Sequence, residues 1–197
     1  MAPSITIFTV SDLHLGHENI IRYCRRPFAS VEEMDSVLIQ NWNEVVTEND
    51  EVIYVGDLSF GRIPLKEQKK MSALSKNQQQ KERVRQYVKK LNGKITWIKG
   101  NHLDPDGTIL STRRRYQGHE FIFVHDPARA AEVGFHIQNK IWLVSGHHHN
   151  NDLVNYPFFR REKHWFNVSA ELTDYRPVSL DTLVEIITSP EARLSSI

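Results

Sequence analysis

Cysteine is almost missing from this chain of 197 residues; Cys24 is the only one. No intrachain disulfide can form and a thiolate zinc site is excluded, which points to a reducing, cytoplasmic setting. Long apolar runs are missing as well, and none approaches the ~20 residues that a membrane span needs. The opening Met1-Ala2-Pro3-Ser4 has neither the basic region nor the apolar core of a leader, so no membrane partner is expected. An excess of one charge is the third absence. With 25 lysines and arginines against 24 aspartates and glutamates, the chain carries no strong field for nucleic acid or membrane. Nucleic acid is therefore a disfavoured partner. Repeats and linkers are absent, and the length favours one domain over residues 1–197.

What the chain does have is histidine, ten in all, several of them just after strand-like segments. Ile5 to Val10 is β-branched and partly alternating, as a strand is, and it runs into Asp12-Leu13-His14. Extended backbone would put Asp12 and His14 on one face, with Leu13 turned to the core. Val52 to Val55 is an apolar run that stops at Gly56-Asp57. Lys94 to Lys99 ends in Gly100-Asn101-His102, Phe121 to Val124 in His125, and Ile141 to Val144 in Gly146-His147-His148-His149. Trp165 to Val168 and Leu183 to Thr188 are read as further strands.

Helices are expected between them. Ser30-Val31-Glu32-Glu33 is a capping box, and Met34, Val37, Leu38, Trp42, Val45 and Val46 follow at helical spacing, giving a helix over about 31–46 with Trp42 in the core. A short helix is expected over 19–23. A long polar helix from about Leu65 to Leu91 has no apolar face over Ser75–Lys81 and is expected to fray there. Its basic residues Lys81, Arg83, Arg85, Lys89 and Lys90 are read as a solvated face. Arg113-Arg114-Arg115 is placed in a loop or helix end.

A single Gly-Asp or Asp-x-His is an ordinary turn. Five strand-like segments that each end in a candidate ligand are a different matter. At the same end of a layered α/β domain they converge on one edge, where such folds bind ligands. The donors are imidazole, carboxylate and amide with no thiolate, a mixture that suits Mn, Fe, Co, Ni or Zn better than calcium. Their number exceeds one tetrahedral site and matches two ions sharing a carboxylate.

The ordered set Asp12-Leu13-His14, Gly56-Asp57, Gly100-Asn101-His102, His125 and Gly146-His147-His148-His149 resembles the calcineurin-like metallophosphoesterases. The flanks Asn19-Ile20-Ile21 and Arg26-Pro27-Phe28, and the tail Thr173-Asp174-Tyr175-Arg176-Pro177-Val178, resemble their small stand-alone members. The resemblance implies an α/β fold, a four-layer α/β/β/α sandwich of two mixed sheets. It assigns Asp12, His14 and His149 to one metal ion and Asn101, His125 and His147 to the other, with Asp57 bridging. His148 is then a spectator, and His102 faces the leaving oxygen of the substrate. The family usually carries an acidic residue directly after its Asn-His pair. Leu103 stands there in this chain, and Asp104 follows one place later.

The implied reaction is hydrolysis of a phosphate ester, favouring a small phosphodiester. Two divalent ions (Mn²⁺ first; Fe, Ni, Co or Zn otherwise) lower the pKa of a shared water, and hydroxide attacks phosphorus in line. Asn101 helps to neutralise phosphoryl charge and His102 acts as general acid. No Ser or Cys nucleophile is required, and Cys24 is placed far from the motifs. His17, Asn19, Arg62 and Asn150 are read as loop surface, and His119, His136 and His164 as structural or exposed. The rival readings are a nuclease or phosphomonoesterase of the same family, and a non-catalytic scaffold that keeps the fold.

Overall fold

The computed structural model describes residues 5–60, 63, 65–138 and 140–189. Its core is two mixed β-sheets flanked by helices. In the first sheet β1 (Ile7–Val10), β2 (Glu51–Tyr54) and β3 (Lys94–Trp97) run parallel, and β9 (Val178–Ser179) joins β1 antiparallel, giving the order β3-β2-β1-β9. The second sheet holds β4 (Ser111–Tyr116), β5 (His119–Val124), β6 (Ile141–Ser145), β7 (Phe159–Arg160) and β8 (Trp165–Asn167). Its order is β4-β5-β6-β8-β7, with β5, β6 and β8 parallel and the two outer strands antiparallel.

The apolar runs in the sequence are continuous because the central strands are buried on both faces. Alternate residues serve alternate cores. Along β2, Val52 and Tyr54 face the helices, whereas Ile53 and the following Val55 face the other sheet. Along β5, Phe121 and Phe123 fill the space between the sheets, while Ile122 and Val124 face outward. On the outer side of the first sheet α1 (Glu18–Tyr23), α2 (Val31–Val45) and α4 (Lys76–Val88) bury Ile20, Met34, Leu38, Trp42, Val84 and Tyr87. Each large side chain of this kind contributes about 1.5–3 kcal/mol when fully buried. The outer layer on the second sheet is thin. There Ala130, Val133, Phe135 and Tyr156, from turns and loops, pack on Ile122, Val124, Leu143 and Trp165.

Four expectations need correction. Residues 180–188 form helix α5 (Leu180–Thr188), not a strand. Ser179 caps it by accepting from the Thr182 N–H, and Leu180, Leu183, Val184, Ile186 and Ile187 pack into the inter-sheet core. The β-branched composition misled; the three- and four-residue apolar spacing was the stronger signal. Arg113–Arg115 lie in edge strand β4, where Arg113 pairs with Glu120 at 2.8 Å and Arg114 with Glu51 at 2.7 Å. Cross-strand and neighbouring charges replace the apolar alternation there. The polar helix is two helices, α3 (Leu65–Lys70) and α4. Ser75 begins the second one in a capping box with Gln78, so 75–81 is a helix start and not a frayed middle. Arg83 is buried, unlike the solvated face predicted for it, while Lys81 and Arg85 pair with Asp106. Among the described residues, no helix is long and apolar enough to cross a membrane.

Candidate metal centre

Parallel pairing puts the carboxyl ends of β1, β2 and β3 side by side, and likewise those of β5 and β6. The loops that follow meet between the sheets. The His125 Nδ1–H donates across to the Val55 carbonyl at 2.8 Å, and the His147 N–H donates to Asp12 Oδ2 at 2.9 Å. Fully buried Tyr54 ties two of the loops, accepting from the Leu13 N–H and donating to the Asp57 carbonyl.

The backbone here is not extended. Asp12, His14, Asp57, His147 and His149 all have φ between +51° and +77°. Non-glycine residues in that region cost of order 1–3 kcal/mol each and cluster at functional sites. Asp12 and His14 therefore reach one place through two left-handed turns, not through the shared face of a strand. Leu13 does point to the core, 1% exposed. Glycines let the loops close. A Cβ on Gly100 would collide with the Asp57 carboxylate, and one on Gly146 with Ser11 Oγ and Asp12 Oδ2.

Each carboxylate has one oxygen committed and one facing inward. Asp12 Oδ2 accepts from Ser11 Oγ, Ser169 Oγ and the His147 N–H. Its Oδ1 has no hydrogen-bond partner and lies 3.6 Å from His149 Nε2 and 3.8 Å from His14 Nε2. Asp57 Oδ1 accepts from the Asn101 N–H at 2.6 Å and the His102 N–H at 2.8 Å. Its Oδ2 faces His125 Nε2 at 3.4 Å, and His14 and His102 Nε2 each at 3.7 Å. Both His14 nitrogens and His125 Nε2 are buried without a hydrogen-bond partner. Buried polar atoms rarely stay orphaned, and an imidazole and carboxylate set of this kind fits divalent transition metals.

The carboxylates draw protons onto two of the imidazoles. Burial alone would lower His125, but the close contact and charge of Asp57, with Asp12, carry it up to about 9. Burial opposes His149 too, and Asp12, Cys24 and Glu171 outweigh it and raise it to about 11. Burial wins at His14, which falls to about 3 despite Asp12. Burial would lift Asp12 and Asp57, yet both sit below the ordinary carboxylate range, held down chiefly by the charge of His149 for Asp12 and by the His125 contact for Asp57.

Six predicted residues thus come together: Asp12, His14, Asp57, His102, His125 and His149. Asn101 and His147 form a pair beside them. The Asn101 amide meets His147 Nδ1 at 3.2 Å, and the His147 ring lies 5.2 Å from that of His125. His148 turns aside and stacks on Tyr156 at 3.4 Å. Asp104 makes no hydrogen bond or ion pair with His102. It accepts from the Leu58 N–H at 3.0 Å and the Gly100 N–H at 2.7 Å, clasping the loop.

Other placements differ from the sequence reading. His17 is buried, not loop surface, with its ring 5.4 Å from His14. Asn150 is half-buried and donates to the Cys24 carbonyl. Asn19 is exposed, as expected, and Arg62 lies outside the described residues. Cys24 is not remote: its Sγ lies within 4.8 Å of ligand-type atoms of His149 and Glu171. His119 and His164 pack on Trp142, and His136 is exposed.

Two residues of the site were missed. Buried Arg26 donates to the Asp12 and Leu13 carbonyls, each at 2.7 Å, and pairs with Glu171 at 2.7 Å. Glu171 in turn accepts from the His149 Nδ1–H at 3.0 Å, leaving Nε2 toward Asp12. A charged residue beside Pro27 was the only local hint.

The chain is 40% identical over 181 residues to the uncharacterized protein MJ1445 of Methanocaldococcus jannaschii, covering 92% of this chain and 90% of that protein. The crystal structure of a protein of unknown function, AQ665 from Aquifex aeolicus, superposes with a TM-score of 0.66 at 19% identity, over 93% of this chain and all of the other. A single mutant of Vps29 from Entamoeba histolytica matches at a TM-score of 0.40 and 13% identity, over 85% of this chain and 76% of that one, too distant a likeness to carry weight. No family model matches the chain.

Proposed function

From the premise that this chain belongs to the family of the M. jannaschii protein MJ1445, we propose that it is a metal-dependent phosphoesterase with a dinuclear centre. The observation that carries this reading is the set of inward-facing, unpartnered atoms: Asp12 Oδ1, both nitrogens of His14 and His125 Nε2, with Asp57 Oδ2 between three imidazoles. Asp12, His14 and His149 would hold one divalent ion, Asn101, His125 and His147 the other, and Asp57 both. Manganese is the first choice for such oxygen and nitrogen donors without thiolate.

When bound, the ions supply a low-pKa water and positive charge for the phosphoryl oxygens. The chain's own residues do the rest. His102 is the open imidazole of the cluster, its side chain 36% exposed against 2% for His14 and His125. That makes it the group able to reach a leaving oxygen and give it a proton. The Asn101 amide would help to neutralise charge on a phosphoryl oxygen. Small phosphodiesters are the favoured substrates, because a net charge of +1 provides no track for a polynucleotide.

The test is to strip the purified protein with a chelator, restore Mn²⁺, and follow bis(4-nitrophenyl) phosphate. Turnover only in the restored sample, with about two ions per chain by elemental analysis, supports the proposal. Equal, background rates in both samples reject the enzyme, and no bound metal leaves the scaffold reading.

A further inference from the structure

The rim of the centre is aromatic on one side. Among the described residues the exposed large apolar side chains include two aromatic ones, Tyr23 at 57% and Phe60 at 39%. Both stand on the same histidine. His17 meets Phe60 edge to face with ring centroids 4.6 Å apart, and meets Tyr23 at 6.2 Å. Phe60 also lies 4.4 Å from the ring of His102, and His14 lies 5.2 Å from His102. A continuous row of rings, Tyr23, His17, Phe60 and His102, therefore leads outward from Asp57.

Core packing does not account for this row. Tyr23 and Phe60 leave large apolar faces in water, although the chain buries its other phenylalanines and tryptophans wholly or in part. His17 adds an independent sign. It is 8% exposed, and its Nδ1 is buried with no hydrogen-bond partner. Buried polar atoms in folded proteins rarely stay unpartnered.

We propose that the substrate is a nucleoside phosphodiester whose base stacks on Phe60 and Tyr23, the two exposed rings that rest on His17. This rests on the phosphoesterase reading and names the class of its substrate. In the step itself, water gives up one proton to solvent as its oxygen bonds to phosphorus, one bond from phosphorus to a ribose oxygen breaks, and His102 gives that oxygen a proton. The nucleoside that carries the released oxygen then lies on the His102 side of the centre, where the exposed rings are. Base–aromatic stacking strengthens binding by roughly tenfold or more per base and tolerates any base, so the expected preference is for the presence of a base and not for its identity.

Two substrates with the same leaving oxygen separate the idea from general reactivity: adenosine 2′,3′-cyclic phosphate and base-free 1-O-methylribose 2′,3′-cyclic phosphate. With Mn²⁺-loaded full-length protein, the adenosine ester is expected to show at least tenfold higher kcat/KM. In Tyr23→Ser the ratio of the two should fall toward one. Phe60→Leu should lower it too, and calorimetry should show adenosine 3′-monophosphate binding more tightly than ribose 5-phosphate in the parent protein only. A parent ratio near one, or a ratio unchanged in Tyr23→Ser with its fold intact by circular dichroism, overturns the stacking site. So does turnover of bis(4-nitrophenyl) phosphate with neither cyclic ester cleaved. Inertness toward all three esters with metal bound defeats the underlying phosphoesterase reading instead.

Discussion

Glu171 holds His149 from behind: its carboxylate accepts from Nδ1 at 3.0 Å while Nε2 of the same ring faces Asp12 at 3.6 Å. Arg26, fully enclosed, neutralises Glu171 and grips the main chain at Asp12 and Leu13. Outer partners of this kind fix which nitrogen is free and are worth about 10–100-fold in metal affinity. Glu171→Gln should weaken Mn²⁺ binding by that range in a chelator competition, and should cost about 3–5 kcal/mol in urea because Arg26 is left as a buried, unpaired charge. Unchanged affinity would dismiss the buttress.

The same pair shapes acid unfolding. Burial would raise Glu171, but Arg26 and His149 outweigh it and bring it to about 2. A depressed acid contributes stability that is present above the unfolded pKa of ~4.3 and is lost as pH falls through the folded value. The metal-free protein should therefore lose stability between about pH 4.3 and 2, and Glu171→Gln should flatten that part of the curve.

Metal binding should release protons. His125, raised to about 9, and His149, raised to about 11, are protonated at neutral pH, whereas a ligand imidazole must be neutral. Calorimetry in buffers of different ionisation enthalpy should show about two protons leaving at pH 7, with affinity rising as pH rises toward 9. Binding without proton release would contradict both assignments.

Asp57→Asn keeps an oxygen for the Asn101 and His102 N–H groups but replaces the oxygen shared by three imidazoles with an amide nitrogen. Turnover is expected to drop at least ~100-fold, about 2.7 kcal/mol of barrier, with near-UV dichroism preserved. A near-normal rate would remove Asp57 from its bridging role.

Gly100→Ala tests how tightly the loops close, since the added methyl meets the Asp57 carboxylate and backbone. Overpacking of this kind costs about 1–3 kcal/mol, to be read from a urea midpoint, and metal affinity should fall with it.

Asp104→Asn should separate scaffold from chemistry. Burial pushes Asp104 up to about 6, and its two oxygens serve the Leu58 and Gly100 N–H groups. An amide offers one acceptor, so stability should drop by about 1–3 kcal/mol. The pH dependence of turnover should keep its shape. A shifted profile would restore Asp104 as the partner of His102.

Much of the centre was legible in the chain, since donors that follow apolar runs stand out without any contact being known. The N-cap at Ser30 and the core position of Trp42 were equally local, and both hold, although the Glu33 carboxylate accepts from the Ala29 N–H and not from that of Ser30, so the capping box is half formed. What was misread shares one feature. Helix α5 and edge strand β4 take their form from the surface they cover or the strand they pair with, and Ser75 from a break that composition did not announce. His17, Cys24, Arg26 and Glu171 gained their places from neighbours distant in sequence.

The sequence by itself determined the donor set and its order, because residue type and spacing are local properties. Only the tertiary structure decided which carboxylate oxygen is free, which imidazole stays open and what braces each side chain of the cluster. Those depend on parallel register and on left-handed turns that bring Asp12 to His147, 135 residues away. Contacts at that separation are set by packing, which no short stretch of chain encodes.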